Sequence, residues 1–197
     1  MIKLVNVTKE IKGHKVLKNI SLNFEKGKIY LLKGHNGCGK TMLLRLLCNL
    51  ISPTNGTIEN SNHSYGVIIE NPTFIEHASA RTNLNILASL KKVIGKKEID
   101  ENLKRYNLYE HAEKKVSKYS LGMKQRLAIC QATMENPQVL LLDEPFNALD
   151  EKNLDIVVSY LKEIKKDKLI VIAAHGIDGS LEALFDEVIL MNDGNII

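Results

Sequence analysis

Apolar positions along the chain change period several times, and each change marks an element. Near the N-terminus Ile2, Leu4 and Val7 alternate with polar residues, and a second run extends from Val16 to Phe24. Two such runs around Lys12-Gly13-His14 predict antiparallel strands joined by a turn. Residues 28–32 (K-I-Y-L-L) predict a short buried strand, and residues 42–50 carry apolar side chains at helical spacing. Ser52-Pro53-Thr54-Asn55-Gly56 is a turn cluster, and residues 64–70 predict a further strand, stopped by Asn71-Pro72. From 73 to 118 the chain is polar and helical in pattern, without a strand. The remainder alternates: a helix from Ser120, a strand at 139–142, a helix from Glu151, a strand at 169–174, a short helix near Asp178 and a strand at 187–191. Strands separated by helices predict an α/β domain with a mostly parallel sheet covered on both faces. There is no internal repeat, low-complexity tract or flexible linker.

The junction between the 28–32 strand and the helix after it reads G-H-N-G-C-G-K-T from Gly34 to Thr41, and it fits G-x-x-x-x-G-K-[ST] at every fixed position. Strand, glycine loop and helix form the context that this phosphate-binding pattern requires. Gly34, Gly37 and Gly39 allow backbone geometries closed to other residues, so that amide N–H groups turn toward phosphate oxygens. The helix that follows offers its positive N-terminus to the same anion. Lys40 is expected to reach the β- and γ-phosphates, and Thr41 to give its hydroxyl oxygen to Mg²⁺. Asn36, Cys38 and Met42 complete the loop and the start of its helix. A glycine-rich turn that merely precedes a lysine is the bland alternative.

A second signal lies about a hundred residues on, where V-L-L-L ends in Asp143-Glu144-Pro145. A buried parallel strand beside the loop's strand would deliver Asp143 to the metal, and Glu144, just past the strand, would polarise a water for in-line attack. Alone, this is only a strand with a solvated acidic turn.

Composition narrows the setting. In 197 residues, 44% are hydrophobic and 25% charged, which is ordinary for a soluble globular domain. The longest apolar runs are too short to cross a bilayer, and Lys3 and Asn6 interrupt the stretch after Met1, so no secretory signal is expected. Three cysteines without C-x-x-C spacing suit a reducing cytoplasm. The net charge of +4 is spread along helical stretches as solvated lysines, and no nucleic-acid partner is expected.

Tyr119-Ser120-Leu121-Gly122-Met123-Lys124-Gln125-Arg126 then fixes the resemblance. Ser120 alone is a good helix N-cap. Placed between the glycine loop and the acidic strand, with His175 after the next strand, it makes the whole chain resemble the ATP-binding subunit of ABC transporters. Gly34 to Thr41 then corresponds to the Walker A loop, 119–123 to the signature, 140–144 to Walker B, 147–150 to the D-loop and His175 to the switch histidine. The resemblance implies an ABC ATPase fold: a single nucleotide-binding domain over 1–197, with an antiparallel β part and a helical subdomain inserted at 72–130. It also implies Mg-ATP, and head-to-tail pairing with an identical or related domain. In that pair Ser120 and Gly122 of one copy contact the γ-phosphate held by Lys40 of the other, His175 bridges γ-phosphate and Glu144, and Asp150 couples the two sites. Integral membrane permease subunits are the further partners implied, docking near Phe74 and Ile75, with the domain peripheral on the inner face of the cell membrane.

Several positions depart from the family pattern. Glu70 stands where a glutamine is usual, and its carboxylate is expected to ligate Mg²⁺ and accept a hydrogen from the attacking water. Leu121 and Met123 replace a glycine and a glutamine. Ile11 sits where an aromatic side chain stacks on adenine, so Ile11 and Val16 are left to cover the base. The patterns I-I-E-N-P-T-F and Y-S-L-G-M-K-Q-R resemble the subgroup that exports bacteriocins, lantibiotics and bacitracin-like antibiotics. Two rival readings are a soluble ABC-type ATPase acting on DNA or the ribosome, and a small phosphate-loop kinase.

Overall fold

The computed structural model describes residues 1–60, 62–70, 73–177 and 179–197. The strand stop at Asn71-Pro72 and Asp178 itself therefore lie outside the described residues. Two sheets organise the chain. β1 (Ile2–Ile11), β2 (His14–Phe24) and β4 (Asn55–Asn60) form an antiparallel sheet in the order β2-β1-β4. β3 (Ile29–Lys33), β5 (Tyr65–Ile68), β6 (Val139–Asp143), β7 (Leu169–Ala174), β8 (Glu187–Asn192) and β9 (Asn195–Ile196) form the second, in the order β5-β6-β7-β3-β8-β9. The first five of these run parallel, and β9 turns back antiparallel on β8.

Helix α1 (Lys40–Leu47) follows β3. Between β5 and β6 lie α2 (Ala80–Lys91), α3 (Lys96–Arg105), two one-turn 3₁₀ segments and α4 (Leu121–Thr133). α5 (Glu151–Ile164) joins β6 to β7, and α6 (Gly179–Glu182) precedes β8. Each long helix after α1 begins where its sequence supplies a cap: the side chains of Ser79, Ser120 and Asp150 accept from the amides of Thr82, Met123 and Asn153, while Glu98 reaches back to the Gly95 amide at the start of α3. Such caps satisfy backbone donors that a helix start leaves open.

Alternation along the central strands sorts the core into two layers. Ile29, Leu31, Leu140, Leu142, Ile170 and Ile172 pack with residues of α2 to α5. Their neighbours Tyr30, Leu32, Val139, Leu141, Val171 and Ala173 pack with α1 and the antiparallel sheet. Every residue of β6 and β7 is buried, as expected of parallel strands covered on both sides.

Two strands escaped the sequence pattern. β4 begins inside the expected turn cluster and offers only Ile58 as an apolar residue, so its pairing with β1 rests on backbone hydrogen bonds rather than alternation. β9 is two residues long. The helix expected at 42–50 is instead Lys40–Leu47, ending at Cys48.

Candidate functional site

Register brings the site together. Within β6, Val139 and Leu141 face the α1 layer, so Asp143, two residues further, faces it too. The Thr41 hydroxyl at the start of α1 donates to Asp143 Oδ2 at 2.6 Å. Asp143 lies opposite Ala173 of β7, and His175 follows directly on that strand's last residue, Ala174. His175 Nδ1 meets Glu144 Oε1 at 2.5 Å. Burial pushes the Asp143 carboxyl above its ordinary value and the charge of Glu144 adds to this; the Thr41 hydroxyl, the Glu70 amide and the Lys40 ammonium pull it back.

The loop itself is wrapped tightly. Gly39 precedes α1 with φ of 112°, a conformation closed to L side chains, and a Cβ there would lie 2.9 Å from Leu17 and 3.0 Å from the Val16 carbonyl. A Cβ at Gly34 would fall 2.3 Å from the Met191 carbonyl of β8. The β8–β9 turn holds the loop from the other side: the Gly194 amide donates to Cys38 O at 2.9 Å, and the Lys18 amide of β2 donates to Gly194 O at 2.8 Å. His35 Nε2 lies 3.2 Å from Asp193 on the same turn.

Lys40 Nζ is nearly buried and donates to the carbonyls of Gly34 at 2.7 Å and His35 at 3.2 Å. Among the described residues no carboxylate forms an ion pair with it. A buried ammonium held only by carbonyl oxygens keeps its charge available for an anion, and phosphate satisfies it directly. Lys40 lines a cavity of about 310 Å³ with Val16, Asn36, Gly37, Gly39, Thr41, Met42, Asp143 and Glu144. The Thr41–Asp143 pair fits a hard divalent cation, and no group of three or more His, Cys, Asp or Glu able to hold a metal is found among the described residues. That donor set suits Mg²⁺, which takes one or two protein oxygens and completes its sphere with phosphate and water.

The remaining expected residues stand outside this lining. Cys38 is buried beneath the loop, and Ile11 is part-exposed at the β1–β2 turn, paired with His14. Glu70, with φ of 60°, is engaged by Arg45, one turn beyond Thr41 on α1. Ser120 and Gly122 lie at the start of α4, whose first turn has no acidic residue and whose Leu121 is 71% exposed. Asp150 caps α5; the Asn153 amide, then its side chain and the charge of Arg126, hold its carboxyl low against the opposing effect of burial. Sequence reasoning missed Arg45, the His35–Asp193 contact and Gln125, whose Nε2 donates to the carbonyls of Glu144 and Pro145. Only the turn carried a usable signal: Asp193-Gly194 after an apolar run marks a hairpin. A second groove, of about 170 Å³ between α2, β5 and α4, holds none of the expected site residues.

The comparisons with known proteins agree with this geometry. The family model described as ABC transporter matches residues 17–147. Over its full length the chain is 45% identical to the ABC transporter ATP-binding protein YybJ of Bacillus subtilis, covering 94% of that protein. It is 35% identical to the bacitracin transport ATP-binding protein BcrA of Enterococcus faecalis, with 100% of this chain and 68% of that protein covered. A bacterial ABC transporter cassette solved as a dimer superposes with a TM-score of 0.88 at 27% identity, over 100% of this chain and 96% of the other. A dimeric post-hydrolysis form of that cassette, bound to ADP and Pi, gives 0.88 at 26% identity with the same coverage. These relatives are transporter ATP-binding proteins, and they do not favour an ATPase acting on DNA or the ribosome.

Proposed function

Since the chain belongs to the ABC transporter ATP-binding family and is an ATPase of that family, we propose that it powers export through separate membrane subunits. Triphosphate enters the 34–41 loop, where backbone amides, the N-terminus of α1 and Lys40 offset its charge. Thr41 and Asp143, joined by Glu70 once it leaves Arg45, would hold Mg²⁺, whose charge would offset that of the phosphate oxygens. Glu144 orients the attacking water and takes its proton. His175 fixes the Glu144 carboxylate at 2.5 Å and offers its other ring nitrogen to the γ-phosphate. Val16 and Ile11 give the base apolar cover.

Two copies pair head to tail, so that Ser120 and Gly122 of one meet the γ-phosphate bound to Lys40 of the other, and Asp150 links the two sites. The exposed Leu121 and the acid-free first turn of α4 support that facing arrangement. The insert at 72–130 is the helical subdomain that receives the membrane subunits. Phe74 is buried and belongs to the core, whereas Ile75 is 49% exposed and available for docking. No helix among the described residues is long and apolar enough to cross a membrane, consistent with a peripheral subunit on the inner face. The bacitracin transport relatives support an antimicrobial peptide or antibiotic as cargo.

One observation carries this reading: Thr41–Asp143 and Glu144–His175 converge on the cavity that contains Lys40. Glu144→Gln is expected to bind ATP normally, lose turnover and accumulate an ATP-bound dimer on size exclusion. Undiminished phosphate release by that variant would remove Glu144 from the mechanism.

A further inference from the structure

The Glu144 peptide is held from two sides. Its amide donates to Ala173 O of β7 at 2.8 Å. Its carbonyl, and that of Pro145, accept from Gln125 Nε2 of α4 at 3.2 and 3.0 Å. Between these ties Glu144 adopts φ of 48°, left-handed for a residue with a side chain. Such a conformation persists only where its surroundings hold it. Elsewhere in the same segment Ala148 has φ of 61°, and its carbonyl lies where a Cβ on Gly122 would come within 2.6 Å. Helix α4 is therefore seated closely against residues 144–148 at two of its turns.

A primary amide is suited to this task. One NH₂ group spans two successive carbonyls, whereas a carboxylate or an aliphatic side chain of similar size offers them no donor. Both carbonyls that Gln125 satisfies follow the Glu144 Cα in the chain, while Ala173 O holds the amide before it, so the bond that carries the Glu144 side chain is tied on both sides. We propose that Gln125 is a positioning residue for hydrolysis: it locks the left-handed Glu144 peptide so that the carboxylate stays on His175 and faces the phosphate cavity. This rests on the reading of Glu144 as the group that orients water.

The test is a double-mutant cycle on the full chain, read at saturating Mg-ATP and by single turnover with labelled ATP. Gln125→Leu is expected to lower kcat about tenfold to a hundredfold, the penalty for a misplacement on the order of 1 Å. KM and the affinity for a fluorescent ATP analogue should stay within about twofold, since Gln125 is absent from the cavity lining. Added to Glu144→Gln, the same change should cost nothing more, because its effect passes through Glu144. Independent, multiplicative losses in the double variant would overturn the proposal, as would a raised KM at unchanged kcat. If Gln125→Leu does not fold, Gln125→Glu, which keeps the volume and loses the donor, replaces it in the cycle. A slow Glu144→Gln beside an unimpaired Gln125 variant sinks this proposal alone; an unimpaired Glu144→Gln sinks the parent reading and this proposal with it.

Discussion

Gly122 sits in the first turn of α4, and replacing it with alanine sets two effects of opposite sign against each other. Alanine favours a helix over glycine by up to about 1 kcal/mol at interior positions, and by less in a first turn. Against this, the new Cβ would lie 2.6 Å from the Ala148 carbonyl oxygen, a backbone atom that cannot swing aside. Relief to ordinary contact at 3.4 Å needs about 0.8 Å of movement, and overpacking of this kind costs about 1–3 kcal/mol. The net expectation is a loss of about 1–2 kcal/mol, which lowers Tm by about 2–8 °C in a domain of this size. The displaced partner is the 146–149 turn, bounded by Glu144 and Asp150, so phosphate release should fall roughly tenfold as well. Thermal unfolding of Gly122→Ala beside Gly13→Ala separates packing from backbone cost, because a Cβ at Gly13 meets nothing within 4 Å although its φ is +82°. A Tm for Gly122→Ala at or above that of the parent would show that helix propensity wins, and would refute the close seating of α4 on this turn.

Three further outcomes follow from particular contacts. Lys40→Ala should weaken ATP binding about tenfold to a hundredfold, the worth of one charge-assisted contact, and an unchanged affinity in a fluorescent-nucleotide titration would contradict its role. Gly66→Ala should lower Tm without altering ATP affinity, since a Cβ there would fall 1.9 Å from Ala132 O and 2.8 Å from Leu140; an unshifted melt would contradict the β5–α4 spacing. Burial alone would raise the Asp186 carboxyl, but Lys165 and the Ile29 amide together hold it below its ordinary value of 3.8. A depressed carboxyl contributes stability above the unfolded value that is lost as pH falls through the folded one. Asp186→Asn should therefore destabilise at neutral pH, and its deficit in urea melts should shrink progressively as pH falls below 3.8; a deficit independent of pH would sink the argument.

The parts of this molecule written in local sequence were legible, and those made by distant pairing were not. β3, β6 and β7 are unbroken apolar runs closed by turn or charged residues, so their positions follow from the chain within a residue or so. The phosphate loop is legible because an anion cradle of successive amides has to be contiguous. β4, with Ile58 as its sole apolar side chain, carries no periodic signal; it exists because β1 has an open edge to pair with. Arg45 reaches Glu70 across 25 residues, and Gln125 reaches Glu144 across 19, and neither pairing leaves a mark in the local pattern.

Sheet register decides the chemistry between these extremes. Thr41 and Asp143 are 102 residues apart and Glu144 and His175 are 31 apart, yet β6, β7 and β3 are neighbours whose C-terminal ends come level: Asp143 opposite Ala173, and Lys33 opposite Ala174. A one-residue slip of β6 would turn Asp143 away from α1, because side chains on a strand alternate faces. Leu140 and Leu142 would then face α1, while Val139, Leu141 and Asp143 would enter the layer packed by α4 and α5, burying a carboxylate among apolar residues. Burying an unpaired charge costs far more than any local hydrogen bond restores. The same alternation that fills both core layers therefore enforces the Thr41–Asp143 contact. Hydrophobic packing selects the register, and that register is what puts a metal-binding oxygen pair beside the phosphate loop.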